Sequence, residues 1–278
     1  MKYRIIADSS CDLTDEMKRE MNVDIVPLIL RLGDREYVDN QNLDVKQYVK
    51  DMNSHPEAPK TSCPSPMDFI SKYKGDGSIF VVTLSSKLSG TYQSAVIAKD
   101  MFLEEIEQKF IYVFDSVSAS AGETLICRKI YELVESGLKE VEIVERVTKY
   151  ISGMKTFFLL ESLEHLAKAG RLNPIIAKIA TFLEIKPIMG GTEEGTIELV
   201  EKVRGYKRAF VKFIETIGRE GTKFEEKVLA IAHCNCPERA ENLKKEIEKK
   251  YNFKEIVIVE MSGLSSTYAD DGGLVIAF

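Results

Sequence analysis

The sequence predicts an α/β protein organised as two α/β domains on largely parallel sheets. Short β-branched runs alternate with amphipathic stretches along nearly the whole chain, the pattern of strands joined by crossover helices. The 278 residues are 44% hydrophobic, which provides a substantial core and, by the usual domain size, about two domains. Several strand-like runs end in Ser, Thr or Asp where a helix begins, and open α/β sheets gather ligands at that place.

The elements follow in order. Residues 2–7 and 24–32 are apolar, strand-like runs, and 44–53 has helical spacing. Pro66 suits the first position of a helix over 66–73, with Ser65 as its N-cap. The run 79–84 is apolar and β-branched, 90–106 has apolar residues at helical spacing, and 110–114 is again a strand. Helices over 119–135 and 139–152 precede a strand at 156–160 that opens behind Gly153, so the seam falls near 152 and divides the chain into domains 1–152 and 153–278. A helix over 173–182 leads to strands 185–189 and 197–203. These read as a hairpin, because Gly190-Gly191-Thr192-Glu193-Glu194-Gly195 supplies a turn between them. Helices over 206–217 and 237–249 then alternate with strands 228–233, 255–259 and 273–277.

The net charge is −6, with Lys and Arg scattered among Asp and Glu, which argues against a nucleic-acid-binding face. No stretch approaches the roughly 18 apolar residues of a spanning helix, and no signal-like segment opens the chain. Five cysteines without a regular framework fit a reducing compartment, so a soluble cytoplasmic protein is expected. Neither Gly-x-x-x-x-Gly-Lys-Ser/Thr nor Gly-x-Gly-x-x-Gly is present, so no nucleotide site is signalled.

The most informative segment runs from Leu84 to Ala95 and includes Ser85, Ser86, Ser89, Gly90 and Thr91. It places hydroxyls at a strand-to-helix switch, where unpaired N–H groups and the helix dipole favour an anion and Gly90 permits close approach. The alternative is that Ser89 only caps the helix. In Thr61-Ser62-Cys63-Pro64-Ser65-Pro66 the prolines hold their neighbours extended, and Thr61 and Ser62 are free to face a ligand. Asp8-Ser9-Ser10-Cys11-Asp12 leaves the first strand at its C-terminal end, where Asp12 or Thr14 also suits as a helix cap. Asp115-Ser116 repeats that arrangement and points either at the same crevice or into its own loop.

A serine hydrolase is one enzyme alternative, but Gly-x-Ser-x-Gly is absent. Of His55, His165 and His233, only the last is well placed as a base. In His233-Cys234-Asn235-Cys236 the first two side chains face opposite ways on a strand, which disfavours a metal centre and favours a loop-capping histidine with ordinary thiols. Cys11, Cys63 and Cys127 read as small buried or semi-buried residues.

Taken together, Asp8-Ser9-Ser10-Cys11-Asp12, the Thr61–Pro66 segment and the Leu84–Ala95 segment resemble the DegV family, the fatty-acid-binding carriers of the bacterial fatty acid kinase system. Leu163-Glu164-His165-Leu166, Gly170-Arg171-Leu172, Lys186-Pro187-Ile188 and Lys202-Val203-Arg204-Gly205 extend the resemblance over essentially the whole chain. The resemblance implies a long-chain fatty acid in a tunnel at the interface of the two domains, its carboxylate held by hydroxyls. Those ligands map onto Thr61 and onto Ser89 or a neighbour, with Ser62, Ser86, Gly90 and Thr91 in the same two segments. Where the family carries a histidine that helps hold the head group, in a Thr-His-x-Gly-Pro-Gly segment, this chain has Tyr268, whose phenol can still donate to a carboxylate, followed by Asp270-Asp271. That loop either turns away from the cleft or marks an altered ligand preference. Ile25, Leu28, Leu160, Ile188 and Ile258 are candidates to line the tunnel. The resemblance further implies a non-catalytic carrier, without metal or other cofactor, that presents its ligand to a partner fatty acid kinase and then holds the acyl phosphate. Arg171 and Arg204 match positions linked to partner docking, with surface ion pairs as the plain alternative. A binding module for another anionic or phosphorylated metabolite is the competing function.

Overall fold

The computed structural model describes residues 2–106, 108–179 and 185–278. In chain order the first part of the chain forms β1 (Tyr3–Asp8), α1 (Asp15–Glu20), β2 (Val23–Val26), β3 (Ile29–Leu32), β4 (Arg35–Val38), α2 (Val45–Ser54), β5 (Lys60–Ser62), α3 (Pro66–Tyr73), β6 (Ser78–Thr83), α4 (Thr91–Glu105), β7 (Ile111–Asp115), α5 (Ala121–Glu135) and α6 (Glu140–Gly153). Strands β2-β1-β6-β7, in that order, make a wholly parallel sheet, and β6 is buried at every position. A parallel sheet covered on both faces reads as continuous apolar sequence, and Ile79-Phe80-Val81-Val82 is such a run.

The expected strand over 24–32 is two strands in two sheets. Pro27 has no N–H to give to a ladder, so β2 stops at Val26 and the chain turns into β3. There a small antiparallel sheet, β4-β3-β5, forms around the two-residue turn at Gly33 (φ 57°) and Asp34. Neither β4 nor β5 was expected, because four- and three-residue strands with mostly exposed side chains carry no alternation to read.

The second part forms β8 (Thr156–Leu159), α7 (Glu164–Lys168), α8 (Pro174–Ile179), β9 (Ile185–Gly191), β10 (Ile197–Arg204), α9 (Tyr206–Glu220), β11 (Val228–His233), α10 (Pro237–Glu248), β12 (Glu255–Glu260), α11 (Gly263–Ala269) and β13 (Leu274–Ala277). The last three residues of the helix expected over 173–182 lie outside the described residues. The six strands are ordered β10-β9-β8-β13-β11-β12. The α/β class holds, but this sheet corrects the expectation of largely parallel pairing, since only β11 and β12 run parallel. Parallel neighbours need a crossover of a dozen or more residues, which α10 supplies between β11 and β12. The β9–β10 connection is the expected hairpin, broken by a bulge between Leu199 and Glu201. No helix among the described residues is long and apolar enough to cross a membrane.

Helix α5 joins the two sheets. Ten of its fifteen residues are buried, and it packs against β1 and β6 on one side and β11 and β13 on the other. The second tie is α11. The N–H groups of Gly263 and Leu264 each donate to the Asp39 carboxylate at 2.8 Å, and Tyr48 and Thr267 share a 2.8 Å hydroxyl hydrogen bond. Gly263 allows this approach, because a Cβ there would stand 2.5 Å from Leu43 and 2.6 Å from Asp39.

Candidate functional site

The C-terminal ends of β1, β6 and β7 meet the second sheet across a cavity of about 420 Å³, within the size range of small-molecule sites. Ser10 follows β1, Leu84 and Leu88 follow β6, and Val117 to Ser120 follow β7. The opposite wall is apolar and includes Phe158, Leu160, Leu166, Ile197 and Val275. Within this lining β5 and α11 bring Thr61 and Tyr268 together, their hydroxyls 2.8 Å apart.

Five of the seven expected binding residues border this cavity: Thr61, Ser62, Ser89, Gly90 and Tyr268. Ser86 and Thr91 do not. Ser86 is exposed, and its N–H donates to Asp115 at 3.1 Å. Thr91 is fully buried, and its hydroxyl shares a 2.8 Å hydrogen bond with Ser89 Oγ. Gly90 rather than Ser89 is the N-cap of α4, while Ser89 Oγ, just outside the helix, accepts the Thr91 N–H at 3.3 Å and borders the cavity. Asp270 and Asp271 are not among the lining residues, so the acidic pair lies away from the cleft. Leu28 and Leu160 line the cavity as expected. Ile25, Ile188 and Ile258 instead pack into hydrophobic cores. Arg171 reaches the cavity and is the one charged side chain among the described lining residues, with its Nε donating to Leu88 O at 3.1 Å. Arg204 stands at the end of β10, exposed and away from the lining.

Beneath the cavity floor sits a layer of buried carboxyls. Asp8 accepts the N–H groups of Ser10 and Leu84, both at 2.8 Å, and burial pushes its pKa up to about 7. Asp12 accepts the Ser120 hydroxyl at 2.6 Å and Ser262 N–H at 2.8 Å, and burial raises it to about 6. Burial also raises Asp39, and raises Glu123 well above the carboxylate range; neither Glu123 oxygen has a hydrogen-bond partner. Asp8 and Asp12 orient the serines that reach the cavity, Ser10 and Ser120, so the surface offered to a ligand is hydroxyl and backbone rather than carboxylate.

Sequence reasoning missed several lining hydroxyls: Ser118, Ser120, Thr156, Thr196 and Ser265. The Asp115-Ser116 motif was the available signal for the first two. Asp115 accepts Val117 N–H at 3.0 Å and Ser116 Oγ donates to Ser118 O at 3.0 Å, which turns that loop into the crevice.

The arrangement suits an amphiphile with a long apolar body and a polar end that accepts hydrogen bonds. It does not bring together the serine–histidine pair of a hydrolase triad among the described residues. Among the described residues no serine hydroxyl is hydrogen-bonded to a histidine, and His165 Nδ1 contacts Thr267 O at 3.1 Å. His233 is buried on β11, its pKa lowered by desolvation. No group of three or more His, Cys, Asp or Glu able to hold a metal occurs among the described residues. Cys11 and Cys127 are buried, whereas Cys63 is exposed at the cavity rim.

A family model described as the DegV family of uncharacterised proteins matches residues 2–278. A DegV domain-containing protein of Streptococcus gordonii is 33% identical over 280 residues, covering 100% of this chain and 99% of the relative. A crystal structure of a DegV family protein from Ruminococcus gnavus, refined with vaccenic acid, superposes with a TM-score of 0.95 at 40% identity and covers 99% of each chain. The Streptococcus pneumoniae fatty acid kinase B3 protein, loaded with linoleic acid, superposes with a TM-score of 0.92 at 32% identity, covering 100% of this chain and 99% of its own.

Proposed function

We propose that this chain, which belongs to the DegV family, is a carrier that encloses one long-chain fatty acid and presents its carboxylate to a partner fatty acid kinase. The observation that carries this reading is a cavity between the two sheets with Leu28, Phe158, Leu160, Ile197 and Val275 in its lining, Arg171 as its one charged side chain among the described lining residues, and the Thr61–Tyr268 hydroxyl pair facing it. At about 0.8 kcal/mol per buried CH₂, an acyl chain of roughly 16 carbons supplies about 12 kcal/mol of gross transfer free energy, so the tail dominates affinity. Ordering and desolvation offset much of that sum. The hydroxyls of the lining keep the head group from being buried unpaired.

In this reading residues 1–152 contribute most of the head-group hydroxyls and 153–278 cover the acyl chain, with Tyr268 reaching back across. The carrier is not itself catalytic; the kinase supplies the nucleotide and the phosphoryl chemistry, in the cytoplasm. Arg204, exposed and remote from the cavity, serves partner docking, while Arg171 stands where it meets both the ligand and the partner. The similarity to a fatty acid kinase B protein supports the partnership.

The test is native mass spectrometry and lipid extraction of the purified protein, followed by incubation with a fatty acid kinase and ATP. A bound C14–C18 acid that becomes an acyl phosphate is expected, and Arg204→Ala is expected to keep the lipid and slow the transfer. A polar metabolite in the cavity, or no ligand at all, would overturn the carrier.

A further inference from the structure

A second cavity of about 510 Å³ adjoins the first. The two share Val117, Ser118, Thr156 and Gly191 in their linings. These residues form a partition at β7, the edge strand of the parallel sheet, whereas Thr61 pairs with Leu30 just past the end of β2 on the opposite flank. The partition is braced on every side. Ser118 Oγ and Thr156 Oγ1 share a 2.7 Å hydrogen bond between the two sheets. Ser85 Oγ donates to Gly195 O at 2.7 Å and latches the tip of the β9–β10 hairpin over Val117. A Cβ on Gly195 would stand 3.1 Å from Val117 Cγ1, so the hairpin closes directly on that side chain.

Val117 itself is held at φ 54°. A β-branched residue in the left-handed region is strained, and glycine would sit there without cost. Such strain persists where surrounding structure enforces it, and here the enforcement comes from Asp115, which accepts Val117 N–H at 3.0 Å, and from the latched hairpin. Val117 is the one branched apolar residue among the four that line both spaces, and the second space offers Phe114, Ile151 and Met154 beside polar residues that include Thr148, Ser152 and Lys155.

Resting on the carrier reading above, we propose that Val117 is the stop that sets the acyl chain length: the methyl end of the ligand abuts it, and trimming it opens the way into the second cavity. Each further methylene buried is worth roughly a fourfold gain in affinity, so a tail extended by two carbons gains about 15-fold over its shorter homologue.

The experiment uses the full chain, delipidated, as wild type, Val117→Gly, Val117→Ala and Val117→Phe. Each is equilibrated with an equimolar mixture of saturated C14, C16, C18, C20 and C22 acids, and the retained acids are quantified after extraction. Val117→Gly is expected to raise the retained C18-to-C16 ratio by about 15-fold, Val117→Ala by less, and Val117→Phe to shift retention toward C14. Should Val117→Gly fail to fold, Val117→Ala against Val117→Phe carries the comparison. Bound acid with an unchanged length profile across the variants overturns the stop and leaves the carrier standing. A wild type that retains no acid of any length overturns the carrier, and the stop with it.

Discussion

Asp12 is a buried carboxyl whose ionisation works against the fold, and Asp12→Asn should therefore stabilise the protein at neutral pH. Burial raises its pKa from 3.8 to about 6, so between those values the native state binds a proton that the unfolded chain has released. Stability consequently falls as pH rises through that window and is level above it. At 1.36 kcal/mol per unit, the shift of roughly two units amounts to about 3 kcal/mol. Asparagine keeps the shape and the contacts: its oxygen can accept Ser262 N–H, and its amide can donate to Ser120 Oγ, which now accepts. Urea denaturation of the delipidated protein, followed by circular dichroism, is the assay. The variant should exceed wild type by about 3 kcal/mol at pH 7.5 and by roughly half that at pH 5, with equal m-values. A variant less stable than wild type at pH 7.5 would show that the ionised carboxylate holds the structure together, and the argument from desolvation would fail.

Two further outcomes concern the site and its closure. Thr61→Val and Tyr268→Phe should each weaken fatty-acid retention by about fivefold, the worth of one modest hydrogen bond. Because the two hydroxyls bond each other, the double variant should lose less than the product of the single losses in a displacement titration; strict multiplicativity would mean that they act apart. Gly195→Ala places a methyl 2.3 Å from Ser85 Oγ at a backbone φ of +86°, and should cost about 1–3 kcal/mol in urea denaturation. An unchanged midpoint would mean that the hairpin tip is loosely held.

What could be read from the chain followed the range of the forces involved. Ser65 caps α3 in a full capping box with Asp68, because both partners are local. The β9–β10 hairpin was equally legible from its glycine-rich turn. The split at Pro27 was open to the same reasoning, since a proline inside an apolar run argues against one continuous strand. Helix α11 was not legible: Gly263-Leu264-Ser265-Ser266-Thr267-Tyr268-Ala269 has little helical pattern, and what fixes its start is Asp39, more than 220 residues away. The same holds for the site. Thr61 and Tyr268 are 207 residues apart, and only the resemblance to a family, not spacing or periodicity, put them in one place before the fold was known. The sense of strand pairing in the second sheet was misread because an intervening helix does not guarantee a parallel crossover: β8 and β9 are separated by α7 and α8 and still pair antiparallel.

Strand β13 lies in the interior of its sheet, with Leu274 pairing Leu159 on one side and His233 on the other. Its Ala277 pairs with Thr156, some 120 residues earlier in the chain, so β8 and β11 are both made before the strand that fills the gap between them. Until it arrives, β8 and β11 stand as two naked, greasy margins a strand's width apart, an invitation to clump with neighbours. A growing polypeptide stopped before residue 274 thus has a slot where its keystone belongs, and residues 274–277 join the two halves into one six-stranded sheet.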